Sequence, residues 1–195
     1  QPHEALNSTL MSVYPYGDPH IGMLGWHGDS EEDFDLKRVK ELMLGAADYL
    51  VQQGPATELG VLINLGDLLH ANDQKAVTPQ SGHRLDVDSR AAKIAEAALY
   101  LMVAIVERML GRHQTVRVMS TPGNHDPDAS VWAAIALRAF FREEPRVRVD
   151  VTASKFSYLQ HGKVLLGVTH GDTVKHGDLE SIMAHDCASI WSETE

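Results

Sequence analysis

Four short stretches of this 195-residue chain carry side chains that bind cations or move protons. GDPHIG supplies Asp18 and His20, LGD supplies Asp67, GNHD supplies Asn124, His125 and Asp126, and THGD supplies His170. Aspartate, asparagine and histidine without thiolate form a mixed oxygen and nitrogen donor set, suited to manganese, iron, zinc or nickel rather than calcium. Two divalent ions bridged by one carboxylate sit ~3.5–4 Å apart and clamp both the attacking and leaving oxygens of an in-line displacement. Asp67 suits the bridge, because a carboxylate offers two oxygens and a charge that offsets cation repulsion. Neutral Asn124 fills a coordination position without adding charge. The ions lower the pKa of bound water, so a metal-bound hydroxide becomes the attacking group. A histidine titrates near neutrality, so His125 is the candidate that protonates the leaving oxygen. Asp126 either orients His125 or serves as a turn or helix N-cap residue.

Singly these motifs are ordinary. Gly-Asp after a strand is usually a turn, Asn124 before His125 suits an Asx-turn, and one histidine is more often structural than a ligand. Their order carries the reading, since each stretch follows a β-rich apolar run and lies beside glycine. In open α/β sheets ligands collect outside the carboxyl ends of strands, and glycines there let the backbone turn and approach an ion closely. Pro19, between Asp18 and His20, fixes one φ angle and removes a donor.

The elements that must position these residues alternate. MSVYPYGD reads as a strand entering a loop, with Pro15 marking an irregular or edge position. DFDLKRVKELMLGAADYLVQQG reads as a helix with Leu36, Val39, Met43, Ala46, Ala47 and Leu50 on one face, stopped by Gly54-Pro55. LGVLINLGD is a continuous apolar run of the kind expected for a strand buried on both faces. From Leu68 to Asp88 the sequence is polar and without period, a long loop of functional character. A strongly apolar helix over about Ser89 to Leu110 ends at Gly111, and QTVRVMSTPGNHD is a further strand and loop. DASVWAAIALRAFFREE is a helix stopped by Pro145, followed by the strands RVRVDV, KFSYLQHG and KVLLGVTHGD and a last helix around LESIMAHDCASIW. This order suggests an α/β layered fold with mixed sheets, in one domain over residues 1–195. Trp132 and the Phe140-Phe141 pair read as core.

Composition narrows the classes. The chain is 44% hydrophobic and 23% charged, which suits a globular domain with a real core. No apolar run approaches the ~20 residues of a membrane span. The first ten residues lack the basic and apolar regions of a secretory signal, and the start on Gln1 rather than Met leaves an upstream natural start as an expectation. A single cysteine, Cys187, excludes an internal disulfide and points to a reducing cytoplasm. The formal net charge of −10 argues against broad nonspecific duplex binding, although carboxylates that hold cations lose that charge. Eleven histidines are many for this length. There is no P-loop and no Gly-x-Ser-x-Gly elbow. His70, Asp73, His83 and Arg84 either line the substrate side or belong to a solvated loop, and Lys175 and His176 are phosphate-contact candidates by position alone.

The ordered set D-x-H, G-D, G-N-H-D and H-G-D resembles the calcineurin-like metallophosphoesterase superfamily over about Val13 to Asp172. The wording DPHIG, GDLLH, LDVDSR and HGD is similar to phage- and prophage-encoded predicted phosphoesterases. The resemblance implies a layered α/β/β/α sandwich. It implies Asp18 and His20 on a first metal, Asp67 bridging, Asn124 and His170 on a second, and His125 beside the leaving group. Two divalent ions are then expected, manganese first. The family pattern closes with Gly-His-x-His, which this chain lacks before Glu195, so a chain truncated at its C-terminal end is the expectation. The implied activity is dinuclear-metal-dependent hydrolysis of phosphate esters. GDLLH and GNHD also look like the nuclease subunit of double-strand-break repair complexes, which makes nucleic acid a candidate substrate for a DNA phosphodiesterase or exonuclease. The alternatives are a phosphomonoesterase or protein phosphatase, or a degenerate phosphoesterase fold acting as a non-catalytic binding scaffold.

Overall fold

The structure, a computed structural model, describes residues 6–30 and 32–194. The signal-peptide reading falls partly on residues 1–5, outside the described ones. Four strands, β1 (Asn7–Tyr16), β2 (Thr57–Asn64), β3 (Thr115–Ser120) and β4 (Val147–Val149), pair in parallel in the order β1-β2-β3-β4. A short helix α1 (His27–Ser30) follows β1. The long helices α2 (Leu36–Gln53), α3 (Ala91–Leu110) and α4 (Ala129–Phe140) then connect each strand to the next. The hairpin β5 (Phe156–His161) and β6 (Val164–Thr169) forms a separate antiparallel sheet. Each sheet is therefore unmixed, parallel or antiparallel, because helical crossovers enforce parallel neighbours while the two-residue connection of β5 to β6 enforces the reverse.

Strand alternation sorts the layers. Tyr14, Leu62, Val118 and Val149 share one face of the parallel sheet and join the cluster that contains the inward residues of α2, α3 and α4. Val61, Ile63 and Met119 point the other way and close a second cluster with Leu159 and Val168 of the hairpin. On the hairpin's far side, Met183 of α5 (Leu179–Asp186) meets Gly167, and Tyr158 donates to Asp186 Oδ2 at 2.6 Å. Among the described residues no helix is long and apolar enough to cross a membrane.

Several elements differ from their sequence reading. Asp35 caps α2 by accepting from Arg38 N at 2.7 Å, but the buried stripe runs Leu36, Val39, Ala47, Val51, while Leu50 is largely exposed. The helix thus rolls slightly, and Val51 takes the inward place. In α4 the inward positions are Ser130, Ala134 and Leu137, with Phe141 just after it. Trp132 lies two residues out of that phase, roughly 200° around the helix, so it is 68% exposed rather than core, and Phe140 is exposed as well. The last helix breaks at Cys187 into α5 and α6 (Ala188–Trp191), and a single turn of 3-10 helix (His176–Asp178) precedes it. Pro15 does lie on an edge strand, and β1 begins four residues earlier than the apolar run suggested.

Candidate metal centre

The carboxyl ends of β1, β2 and β3 open on the same side, and the loops that leave them are laced together by backbone hydrogen bonds. Asp18 N donates to Gly66 O, His20 N to Asp67 O and Ile21 N to Leu68 O, at 3.3, 3.0 and 2.9 Å. His70 N returns the pairing by donating to Ile21 O at 3.1 Å. Asp18, His20 and Asp67 adopt positive φ angles of 51°, 42° and 50°. Three non-glycine residues in the left-handed region carry strain that the surrounding pairing must hold. Behind them, fully buried Asn64 braces the ends of β2 and β3, giving Nδ2 to Ser120 Oγ at 2.9 Å and accepting Thr121 N at its own carbonyl.

Asp67 occupies the middle. Its side chain is almost fully buried, Oδ1 accepts from His125 N at 2.8 Å, and Oδ2 lies 3.8 Å from His20 Nε2 and 3.5 Å from His170 Nε2. The approach of the GNHD loop depends on Gly123, where any Cβ would collide with the Asp67 carboxylate and backbone N. Gly66, at φ 110°, makes room for the His170 ring in the same way.

Among the described residues two groups of donor atoms emerge, each with all members within 4.8 Å of one another: Asp18, His20 and Asp67, and His20, His70 and His125. His170 stands outside both groups but beside Asp67, with Nε2 3.0 Å from Asn124 Oδ1. Its Nδ1 lies 2.9 Å from Leu65 O. A carbonyl can only accept, so Nδ1 carries the proton and Nε2 of the neutral ring presents a lone pair. That lone pair, Asn124 Oδ1 and Asp67 Oδ2 then face one another, and only a proton or a cation placed among them relieves the repulsion. Exposed Asp18 reaches the same region, 3.8 Å from His170 Nδ1.

His70, which the sequence left open between the substrate side and a solvated loop, is buried in this centre with Nδ1 3.2 Å from His20 Nδ1. His125 Nδ1 donates to His70 O at 2.9 Å, which leaves Nε2 of His125 free. Burial, foremost, lowers the pKa of His20 and brings that of His70 down to about 4. Both imidazoles are therefore neutral at pH 7, the form that ligates metal.

Asp126 does not orient His125 in this arrangement. Its carboxylate is fully buried and accepts from Leu69 N at 2.9 Å and Gly123 N at 3.2 Å, tying the loops after β2 and β3 together. Burial pushes its pKa up to about 7. The His70 carbonyl orients the His125 ring instead. Asn72 adds a third tie by accepting Asp128 N and Ala129 N at 2.9 Å each, thereby capping α4. Of the other loop candidates, Asp73 and His83 make local turn bonds and Arg84 is exposed. Lys175 and His176 are exposed at the 3-10 turn.

The donor set fits a divalent cation: carboxylate oxygens, an amide oxygen and imidazole nitrogens, without thiolate, gather around the buried Asp67 carboxylate. No protein-family model matches the chain, and no curated protein matches it.

Proposed function

We propose that the chain is a dinuclear-metal-dependent phosphoesterase with the layered fold and chemistry of the calcineurin-like metallophosphoesterases. The observation that carries this reading is the convergence of Asp18, His20 and Asp67 donor atoms within 4.8 Å, with His170 Nε2 3.5 Å from Asp67 Oδ2. In this reading Asp18 and His20 would hold a first ion and Asn124 and His170 a second, with Asp67 as a ligand available to both. His70 and His125 stand next to His20. Bound divalent ions supply Lewis acidity toward the phosphoryl oxygens and a water acidic enough to react at neutral pH.

The chain's own residues do the rest. Asp67 Oδ1 is occupied by His125 N, which fixes the carboxylate so that Oδ2 faces inward. With its Nδ1 proton committed to His70 O, His125 moves protons through Nε2 alone. Protonated there, it would hand that proton to the leaving oxygen of the ester, while the His70 carbonyl stabilises the imidazolium. The left-handed backbone at Asp18, His20 and Asp67 preorganises the donors before any ion arrives.

The test is a hydrolysis panel with added Mn²⁺, comparing bis-p-nitrophenyl phosphate, p-nitrophenyl phosphate, and single- and double-stranded DNA. Hydrolysis that requires Mn²⁺ and falls ~10²-fold or more in His125→Ala, with Mn²⁺ affinity retained, is the expected result. Activity on the monoester alone would remove the nuclease reading. Mn²⁺ binding with no hydrolysis of any ester would refute the enzyme and leave a binding scaffold.

A further inference from the structure

Lys155 has no part in the chemistry above, yet it sits directly behind the second half of the centre. It lies between β4 and β5, and its ammonium donates to Pro122 O at 3.2 Å, to Gly123 O at 3.1 Å and to Asp172 Oδ2 at 3.0 Å. An ammonium has three protons, and all three are used. The first two acceptors belong to the loop that delivers Asn124, and the third belongs to the loop that delivers His170. The same two loops meet on their inner side through Asn124 Oδ1 and His170 Nε2, 3.0 Å apart. Without a cation, two carbonyls and a carboxylate would converge with no proton among them, so the loops would be driven apart.

An exposed lysine ion pair contributes almost nothing to stability. This pair is different, because the Lys155 and Asp172 side chains are 27% and 17% exposed and the ammonium also binds two main-chain carbonyls. We propose that Lys155 is a positioning residue, which holds the Asn124 and His170 segments in register so that both side chains meet one ion. Its consequence for metal binding rests on the reading of the site given above; the register itself does not.

Two measurements on the full chain separate those statements. Metal-free hydrogen–deuterium exchange compares wild type with Lys155→Met, and faster exchange is expected in both the 122–125 and 170–172 segments while the helices keep their protection. Titration with Co²⁺, read by visible absorption and calorimetry, is expected to show affinity reduced roughly tenfold to a hundredfold, the range for residues that orient ligands. Asp172→Asn should give a similar loss, and the double variant should lose little more, because either change breaks the same strut. Unchanged exchange in both segments overturns the proposal, as does unaltered Co²⁺ affinity in a variant of a wild type that binds. A wild type that takes up no Co²⁺ refutes the metal reading, and the exchange data then decide the role of Lys155 alone.

Discussion

Gly123→Ala is the sharpest test of how the centre is assembled. An added Cβ would overlap the Asp67 carboxylate oxygen and backbone N and lie 2.7 Å from Asp67 Cγ. Neither group can retreat cheaply. The backbone N belongs to a residue at φ 50°, and the carboxylate is 4% exposed and bonded to His125 N. Overpacking of this kind costs about 1–3 kcal/mol, and losing the hydrogen bond to a charged acceptor costs about 1.5–3 kcal/mol. The sum, about 2.5–6 kcal/mol, is a large part of the 5–15 kcal/mol that holds a domain folded. In a chain of this size each kcal/mol moves Tm by about 2–4 °C, so a fall of roughly 5–24 °C is expected. Thermal unfolding followed by circular dichroism without metal measures it. Gly45→Ala in α2 is the control, since its new methyl group meets nothing within 4 Å. There the helix gains about 0.5–1 kcal/mol and Tm should rise by roughly 1–4 °C. A Gly123→Ala protein that melts with the wild type would refute the claim that the GNHD loop is seated on Asp67.

The remaining predictions address the centre, the core and the opposite end of the sheet. His70→Ala should weaken Mn²⁺ binding by about tenfold or more in calorimetry; an unaltered affinity would remove His70 from the centre. Leu101→Ala, at a fully buried position of α3, should cost about 2–5 kcal/mol in urea unfolding, and a loss below about 1 kcal/mol would contradict the packing described. His113, buried between Tyr14 OH and Thr57 Oγ1 at 2.8 Å each, has its pKa lowered from 6.5, chiefly by burial. The unfolded chain therefore binds a proton that the fold excludes, so its stabilisation is complete above pH 6.5 and is lost as pH falls through the lowered pKa. Between pH 7.5 and 5 the wild type should lose more Tm than His113→Gln, and equal slopes would show that His113 is not the group responsible.

The helices α2, α3 and α4 and the strands β1 to β3 were legible because long periodic segments state their own type. Positions within a segment were less so. Trp132 is apolar and sits in an apolar helix, and nothing local says that α4 turns Ala134 and Leu137 inward instead. The ends of β4 and of α5 depend on pairing and packing partners, as does the separation of the strands into two unmixed sheets.

For the site, glycine-flanked Asp18, His20, Asp67, Asn124, His125 and His170 could be picked out from the residues alone, since each follows a strand-like run. His70 was left open between the substrate side and a solvated loop, although it stands three residues after Asp67, because it lies in a 21-residue stretch without period. Its burial follows from the bond of His70 N to Ile21 O, a contact across 49 residues of chain. Asp126 was left open for the same reason: sequence could not choose between orienting His125 and holding a turn, whereas the fold gives its carboxylate to Leu69 N and Gly123 N. The sequence by itself thus determined which donor types exist and that they leave strand ends. Only the tertiary structure decided which of them meet, because the bonds that bring them together run between loops distant in the chain and have no local signature.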